Sequence, residues 1–260
     1  MKVSTRAYFA ATLAVASAAV LPRQDLGAGL NAVTSCTMPN TIALTFDDGP
    51  YTWHQKIVDM LEEAGGKGTF FVNGNNYECI YDEDSVTRLQ YSYGKGHQIG
   101  SHTWRHADLS TLSGDELDTE FTLTDTALGK ILGVVPTFMR PPYGSYNDET
   151  LQVAANHKQN VIIWDFEDGD STGSTAEQSK QDYDTLFAKN PSNILTLNHE
   201  TYQTTAEQVL PYVLNILKNK NYKLVTVAEC LGITEIYQDM STPGTRDDTW
   251  ACDGTPSPGN

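Results

Sequence analysis

Short apolar, β-branched runs alternate with segments of helical spacing along most of this chain. That alternation restricts the fold more than any other feature. Residues 41–46, 68–72, 98–101, 137–139, 161–164, 194–197 and 222–227 read as strands. Residues 53–64 carry Ile57, Met60 and Leu61 at helical spacing and stop at Gly65-Gly66. Residues 86–93 and 205–218 read as further helices. Ser113 is expected to cap a helix running through Leu132, with Glu116 three residues on completing a capping box. Asn147 is expected to cap another through His157. Strands separated by helices form parallel βαβ units. With no G-x-G-x-x-G and no P-loop, the pattern predicts a barrel-like α/β domain of about seven parallel strands, not a nucleotide-binding sheet.

In a barrel the active site is built from loops at the C-terminal strand ends. Polar clusters stand at those places here: Thr45-Phe-Asp-Asp-Gly-Pro50, Ser101-His-Thr-Trp-Arg-His106, Arg140-Pro-Pro-Tyr-Gly144, the stretch from Trp164 to Asp170, and Leu195-Thr-Leu-Asn-His199. His102 and His106 are four residues apart. They share one face if the segment turns helically, as metal-binding histidines do. A bare H-x3-H is more often a pair of solvated or core histidines. A carboxylate at another strand end changes that balance, and Asp48 supplies one. Two histidines and an aspartate leave positions open for water and substrate.

Asp47 adjoins Asp48. Asp-Gly-Pro is ordinary turn chemistry, but two carboxylates beside a metal permit a division of labour, one binding the ion and one taking a proton from water. Arg140 reads either as a structural ion-pair partner or as the cation that holds Asp47 ionised. His199 reads as a core histidine or as a general acid, and an acid needs a carboxylate beside it, Asp168 or Asp170. Leu197 lies two residues earlier on the same strand face and is core or the lining of a small apolar pocket. Trp164 is core or pocket wall.

With 17 Lys and Arg against 33 Asp and Glu, the net charge is −16. That excludes sequence-independent nucleic-acid binding, which needs cations on phosphates, and docking on anionic lipid. Residues 1–18 have the basic start, apolar middle and Ala16-Ser-Ala18 end of a secretory signal peptide, too short an apolar run for a membrane anchor. Residues 19–35 then form an N-terminal extension, 36–240 the catalytic domain and 241–260 a tail rich in Thr, Pro, Gly and Asp. The mature protein is expected to be extracellular and monomeric. Four cysteines, Cys36, Cys79, Cys230 and Cys252, with no CxxC, imply two disulfides in an oxidising compartment.

Taken together, TFDDGP, HTWRH, RPPYG, WDFEDGD and LTLNH resemble, in order and spacing, the five motifs of the NodB homology domain, the polysaccharide deacetylases of carbohydrate esterase family four. The resemblance runs from about residue 42 to residue 232. The four cysteines, the acidity and Val227-Ala-Glu-Cys-Leu-Gly232 make the chain most similar to the fungal chitin deacetylases. The resemblance implies a distorted (β/α) barrel and a metal-dependent amide hydrolase acting on N-acetylglucosamine units of chitin or chito-oligosaccharides. Acetylxylan and peptidoglycan are alternative substrates, and a carbohydrate-binding protein that has lost catalysis is the alternative of another class. It implies one divalent ion, zinc with cobalt as a substitute, on Asp48, His102 and His106. Asp47 becomes the base, Arg140 its orienting partner, the Tyr143 N–H an oxyanion donor, Leu197 the acetyl-pocket lining and His199 the acid with Asp170 behind it. Ser171 departs from the aromatic residue common after that aspartate, and Glu167 from an aspartate. Cys36 precedes the first strand and Cys230 follows the last, and these strands are neighbours in a closed barrel. That topology pairs Cys36 with Cys230 and leaves Cys79 to Cys252.

Overall fold

The computed structural model describes residues 31–258. The expected signal peptide, residues 1–18, lies outside them, as do residues 19–30 of the expected extension. Eleven strands and seven helices follow one another as β1 (Thr41–Ala43), β2 (Thr45–Gly49), α1 (His54–Glu63), β3 (Thr69–Val72), α2 (Glu83–Gly94), β4 (Gln98–Ser101), α3 (Gly114–Leu132), β5 (Val134–Pro136), β6 (Phe138–Met139), α4 (Asp148–Asn156), β7 (Asn160–Val161), β8 (Phe166–Glu167), α5 (Ala176–Lys189), β9 (Asn193–His199), α6 (Leu210–Leu217), β10 (Lys223–Leu224), α7 (Val227–Leu231) and β11 (Tyr237–Met240).

Nine strands form one parallel sheet in the order β10-β1-β9-β2-β3-β4-β6-β7, with β8 also on β9. The chain leaving β7 crosses directly to β8, where Phe166 and Glu167 pair with Thr196 and Leu197 of β9. Asp165 secures the crossing: its N–H donates to Leu195 O at 3.0 Å, and its carboxylate accepts the Leu195 N–H at 2.8 Å. The sheet thus returns on itself as a distorted barrel. The strands number nine because the first apolar run breaks at Leu44 into β1 and β2, and because β8 adds a pairing too short to show in the periodicity.

Period-2 alternation sorts the side chains. Phe46, Phe70 and Ile99 face the helix layer with Ile57, Leu61, Leu89 and Leu128. Ala43, Phe71, Phe138 and Leu195 form a separate inner cluster with Cys36, Cys230 and α7. Each such large apolar side chain contributes about 1.5–3 kcal/mol on burial.

Several local expectations change. The Ser113 side chain makes no cap hydrogen bond at α3; Glu116 instead binds Arg105 Nη2 at 2.6 Å. Asn147 does cap α4, with Thr150 answering it. The expected strand 222–227 keeps only Lys223–Leu224, because Thr226 and Glu229 form a capping box that starts α7. The expected helix 205–218 opens with a π-turn over Thr205–Val209. Helix α5 and the antiparallel β11–β5 pair had no counterpart in the sequence reading.

Both disulfides join the expected partners, Cys36–Cys230 with Cα atoms 5.2 Å apart and Cys79–Cys252 at 5.9 Å. The first holds because β1 and β10 are indeed paired neighbours. Among the described residues no helix is long and apolar enough to cross a membrane.

Candidate active site

A cleft of about 520 Å³ opens at the C-terminal ends of the strands, lined among others by Asp47, Asp48, His102, His106, Tyr143, Trp164, Leu197 and His199. Adjacent strand residues normally face opposite sides, yet Asp47 and Asp48 both line it. A register shift against β3 supplies the reason: Asp47 pairs with Phe71 and Gly49 with Val72, leaving Asp48 bulged at φ 73°. Bulges next to active sites re-aim a side chain in this way.

His102 and His106 converge without a helix. They sit on an irregular loop after β4 in which Thr103 (φ 68°) and His106 (φ 59°) are left-handed. The expected helical turn is therefore replaced by two backbone reversals with the same result. The Asp48 Oδ1 atom lies 3.5 Å from His102 Nε2 and 3.2 Å from His106 Nε2. Among the described residues these three form the one His/Cys/Asp/Glu group compact enough to hold a metal, its donor atoms all within 4.8 Å of one another.

The donor set fits a divalent cation. Asp48 Oδ1 is buried with no hydrogen-bond partner, an arrangement that costs free energy unless something pairs with it. His102 Nδ1 lies 2.7 Å from Arg140 O. A carbonyl only accepts, so Nδ1 carries the proton and Nε2, 3.5 Å from Asp48 Oδ1, is left with its lone pair free to bind a cation. Burial pushes both His102 and His106 down to about 3, so both rings are neutral at working pH. Burial, with Asp47, Glu200 and Asp170 adding to it against His199, lifts Asp48 to about 7, a site that gains by admitting a cation.

Arg140 is fully buried and spans the barrel interior. Its Nη1 donates to Asp47 Oδ1 at 2.9 Å and to Thr45 Oγ1 at 2.5 Å, its Nη2 to Ile163 O at 3.0 Å, and its guanidinium lies 4.4 Å over the Phe71 ring. Burial raises the Asp47 carboxyl above its ordinary range, and Arg140 and His199 oppose that rise. The guanidinium restrains Asp47 without cancelling the desolvation.

Asp170, not Asp168, meets His199. Its Oδ1 lies 2.7 Å from His199 Nδ1, and its Oδ2 accepts the His199 N–H and the Thr205 hydroxyl, both at 2.8 Å. Burial acts to lower His199, but the Asp170 hydrogen bond and charge, with Asp47 and Asp48, outweigh it and carry the ring up to about 9. Asp168 lies beneath, accepting the Asp170 N–H at 3.3 Å. Leu197 and the half-buried Trp164 both line the cleft, as do Glu167 and Ser171. Tyr143 is 71% exposed and sits at φ 60°, its ring 4.6 Å from the His106 ring.

The sequence reading gave no role to Thr45, although it opens the TFDDGP cluster, nor to Thr205, a neutral residue with no pattern to mark it. It also missed Glu120 and Glu200, which had signals. Glu120 interrupts the apolar stripe Leu117, Phe121, Leu128 of α3, and Glu200 extends a buried strand.

A family model described as "Polysaccharide deacetylase" matches residues 34–162. A protein named chitin deacetylase from Pestalotiopsis sp is 40% identical over 232 residues, which cover 86% of this chain and 75% of that protein. One from Arthroderma benhamiae, named probable peptidoglycan-N-acetylglucosamine deacetylase, is 38% identical over 81% of this chain, but only 48% of its own length is spanned. The solved structure of the chitin deacetylase from Colletotrichum lindemuthianum superposes with a TM-score of 0.76 at 29% identity, covering 80% of this chain and 96% of that one. Sequence and architecture agree, and the chain belongs to the polysaccharide deacetylase family.

Proposed function

We propose that this protein is a secreted, metal-dependent chitin deacetylase that hydrolyses the N-acetyl groups of N-acetylglucosamine units in chitin or chito-oligosaccharides and releases acetate. The observation that carries the reading is the meeting, in one cleft, of the Asp48, His102 and His106 cluster with two buried acid–base pairs, Asp47–Arg140 and Asp170–His199. The names of the relatives support the substrate, and two disulfides fit secretion.

An N-acetyl amide is a weak electrophile with a poor leaving group. A divalent ion held by Asp48, His102 and His106, zinc or in its place cobalt, would supply Lewis-acid polarisation of the acetyl carbonyl and a more acidic water. Asp47, kept in place by Arg140, takes the proton of the attacking water. Its burial-raised affinity for protons suits a base working near neutrality. The Tyr143 N–H is assigned to the developing oxyanion. Such a donor is worth about 3–4 kcal/mol. Leu197 lines the slot for the acetyl methyl, with Trp164 beside it. His199 Nδ1 is engaged by Asp170, so its Nε2 delivers the proton that lets the amine leave. The domain is assigned to residues 36–240, with 241–260 as a tail.

Acetate release from chito-oligosaccharides, acetylxylan and peptidoglycan, measured side by side, tests the reading. Release from chito-oligosaccharides at the highest kcat/KM is the expected result. Faster release from peptidoglycan or xylan replaces the substrate, and no release from any of them leaves a binding protein.

A further inference from the structure

We propose that two buried glutamates outside the catalytic pairs, Glu120 and Glu200, are positioning residues for the metal-ligand set, each holding one ligand-bearing segment in its left-handed conformation. The inference rests on the reading of Asp48, His102 and His106 as ligands.

Glu120 projects from α3 and is 1% exposed. Its Oε2 accepts the backbone N–H groups of Trp104 and Arg105, each at 3.0 Å, and its Oε1 pairs with Arg105 Nε at 3.0 Å. Those two amides lie between His102 and His106, in a loop with left-handed Thr103 and His106. A non-glycine residue in that region is strained and persists only where its surroundings over-determine it. A β-branched threonine is especially disfavoured there. Two hydrogen bonds to one buried carboxylate are strong enough to supply that constraint.

Glu200 does the same for the bulged end of β2. It is fully buried, accepts the Tyr51 N–H on Oε1 at 2.7 Å and meets His54 Nδ1 with Oε2 at 2.7 Å. Its own N–H donates to Asp47 O at 3.2 Å. The carboxylate occupies the space over Gly49, where a Cβ would fall 1.9 Å from Oε1. Gly49 is thus required by Glu200, and together they hold the bulge that turns Asp48 inward. One acid thus holds the segment that carries the two histidines and the other the segment that carries the aspartate, and neither belongs to the ligand cluster itself.

Zinc affinity of the stripped full chain, measured by competition with a chromophoric chelator, tests this. Glu120→Gln and Glu200→Gln keep the volume but remove the charge, and each is expected to weaken zinc binding about 10–100-fold, the range for partners behind metal ligands. Turnover should recover at saturating zinc. Glu116→Gln removes the exposed partner of Arg105 without touching a loop amide, and should bind zinc as the wild type does. Folded glutamine variants with wild-type zinc affinity overturn the proposal. If they do not fold, hydrogen exchange on the metal-free wild type decides. Protected Tyr51, Trp104 and Arg105 amides support it, and freely exchanging ones overturn it. A wild-type chain that binds no zinc fails the ligand reading itself, and the positioning role with it.

Discussion

Asp47 and Asp48 are neighbours in sequence with different surroundings. Asp47 is tied to Arg140 by a hydrogen bond, whereas Asp48 Oδ1 faces two imidazoles with no donor of its own. Asp47→Asn should therefore retain about one zinc per chain while turnover falls roughly 100-fold or more, the scale of a lost general base. Asp48→Asn should lose zinc affinity, with activity partly recovered by excess metal. The opposite pattern would mean that the two roles are exchanged. His199 offers a separate test through pH. Held at about 9 by Asp170 against its burial, it stays protonated through neutrality, and activity should fall as pH rises through that value. Asp170→Asn removes the main raising influence, so the alkaline limb should move down toward the ordinary histidine value of about 6.5. His199→Ala should depress hydrolysis of the acetamide far more than that of an activated aryl acetate, whose leaving group needs little protonation. Equal losses on both substrates would remove His199 from the acid role.

Elements, rather than single residues, carry the strain of the site. The bulge in β2 and the reversed loop after β4 replace regular geometry at the strand ends, while the helices α1 and α3 behind them, which have no side-chain N-cap, are held by the apolar faces they bury. One helix junction is itself titratable. His157 closes α4 and sits between two carboxylates of α3, Asp125 at 3.0 Å and Asp118 at 2.9 Å. The Asp125 hydrogen bond first, then the Asp118 bond against partial burial, raises its pKa. A raised histidine contributes stability that is fully present below the unfolded value of about 6.5 and is lost as pH rises through the folded value. The thermal midpoint of His157→Gln should thus fall further below wild type at pH 5.5 than at pH 9. The same gap at both values would show that the charge contributes nothing.

At the scale of the whole molecule, the two ends of the described chain are fastened to the barrel. Cys36–Cys230 spans 194 residues and Cys79–Cys252 spans 173. The tail also packs: Trp250 is 9% exposed against Tyr81, and Trp104, inside the ligand loop, donates from Nε1 to Thr255 Oγ1 at 3.0 Å and Pro256 O at 3.1 Å. Loss of a native disulfide typically costs about 2–5 kcal/mol, or roughly 4–20 °C in a domain of this size. Cys36→Ser with Cys230→Ser should lower the thermal midpoint by that much, and so should Cys79→Ser with Cys252→Ser. Only the second pair, which releases the tail from Trp104, should also weaken zinc binding. Undiminished zinc affinity in that pair would assign the tail to stability alone.

What the sequence determined by itself is what depends on local period and on the chemistry of residue types. Strand and helix alternation gave the barrel, the polar clusters at strand ends gave the mouth of the site, and the parity and placement of the cysteines gave the disulfides. Residue type and spacing leave Asp168 and Asp170 equivalent as partners of His199; the motif resemblance implies Asp170, and the fold of the turn after β8 sets Asp170 against the ring. Tertiary structure alone decided that His102 and His106 converge through left-handed backbone and not through a helical turn. It also turned Asp47 and Asp48 to the same side, against strand alternation, through a bulge that Gly49 and the distant Glu200 permit. Each of these depends on groups that lie far apart in the chain, or on backbone conformations that residue type disfavours. A local pattern contains neither, and only packing decides them.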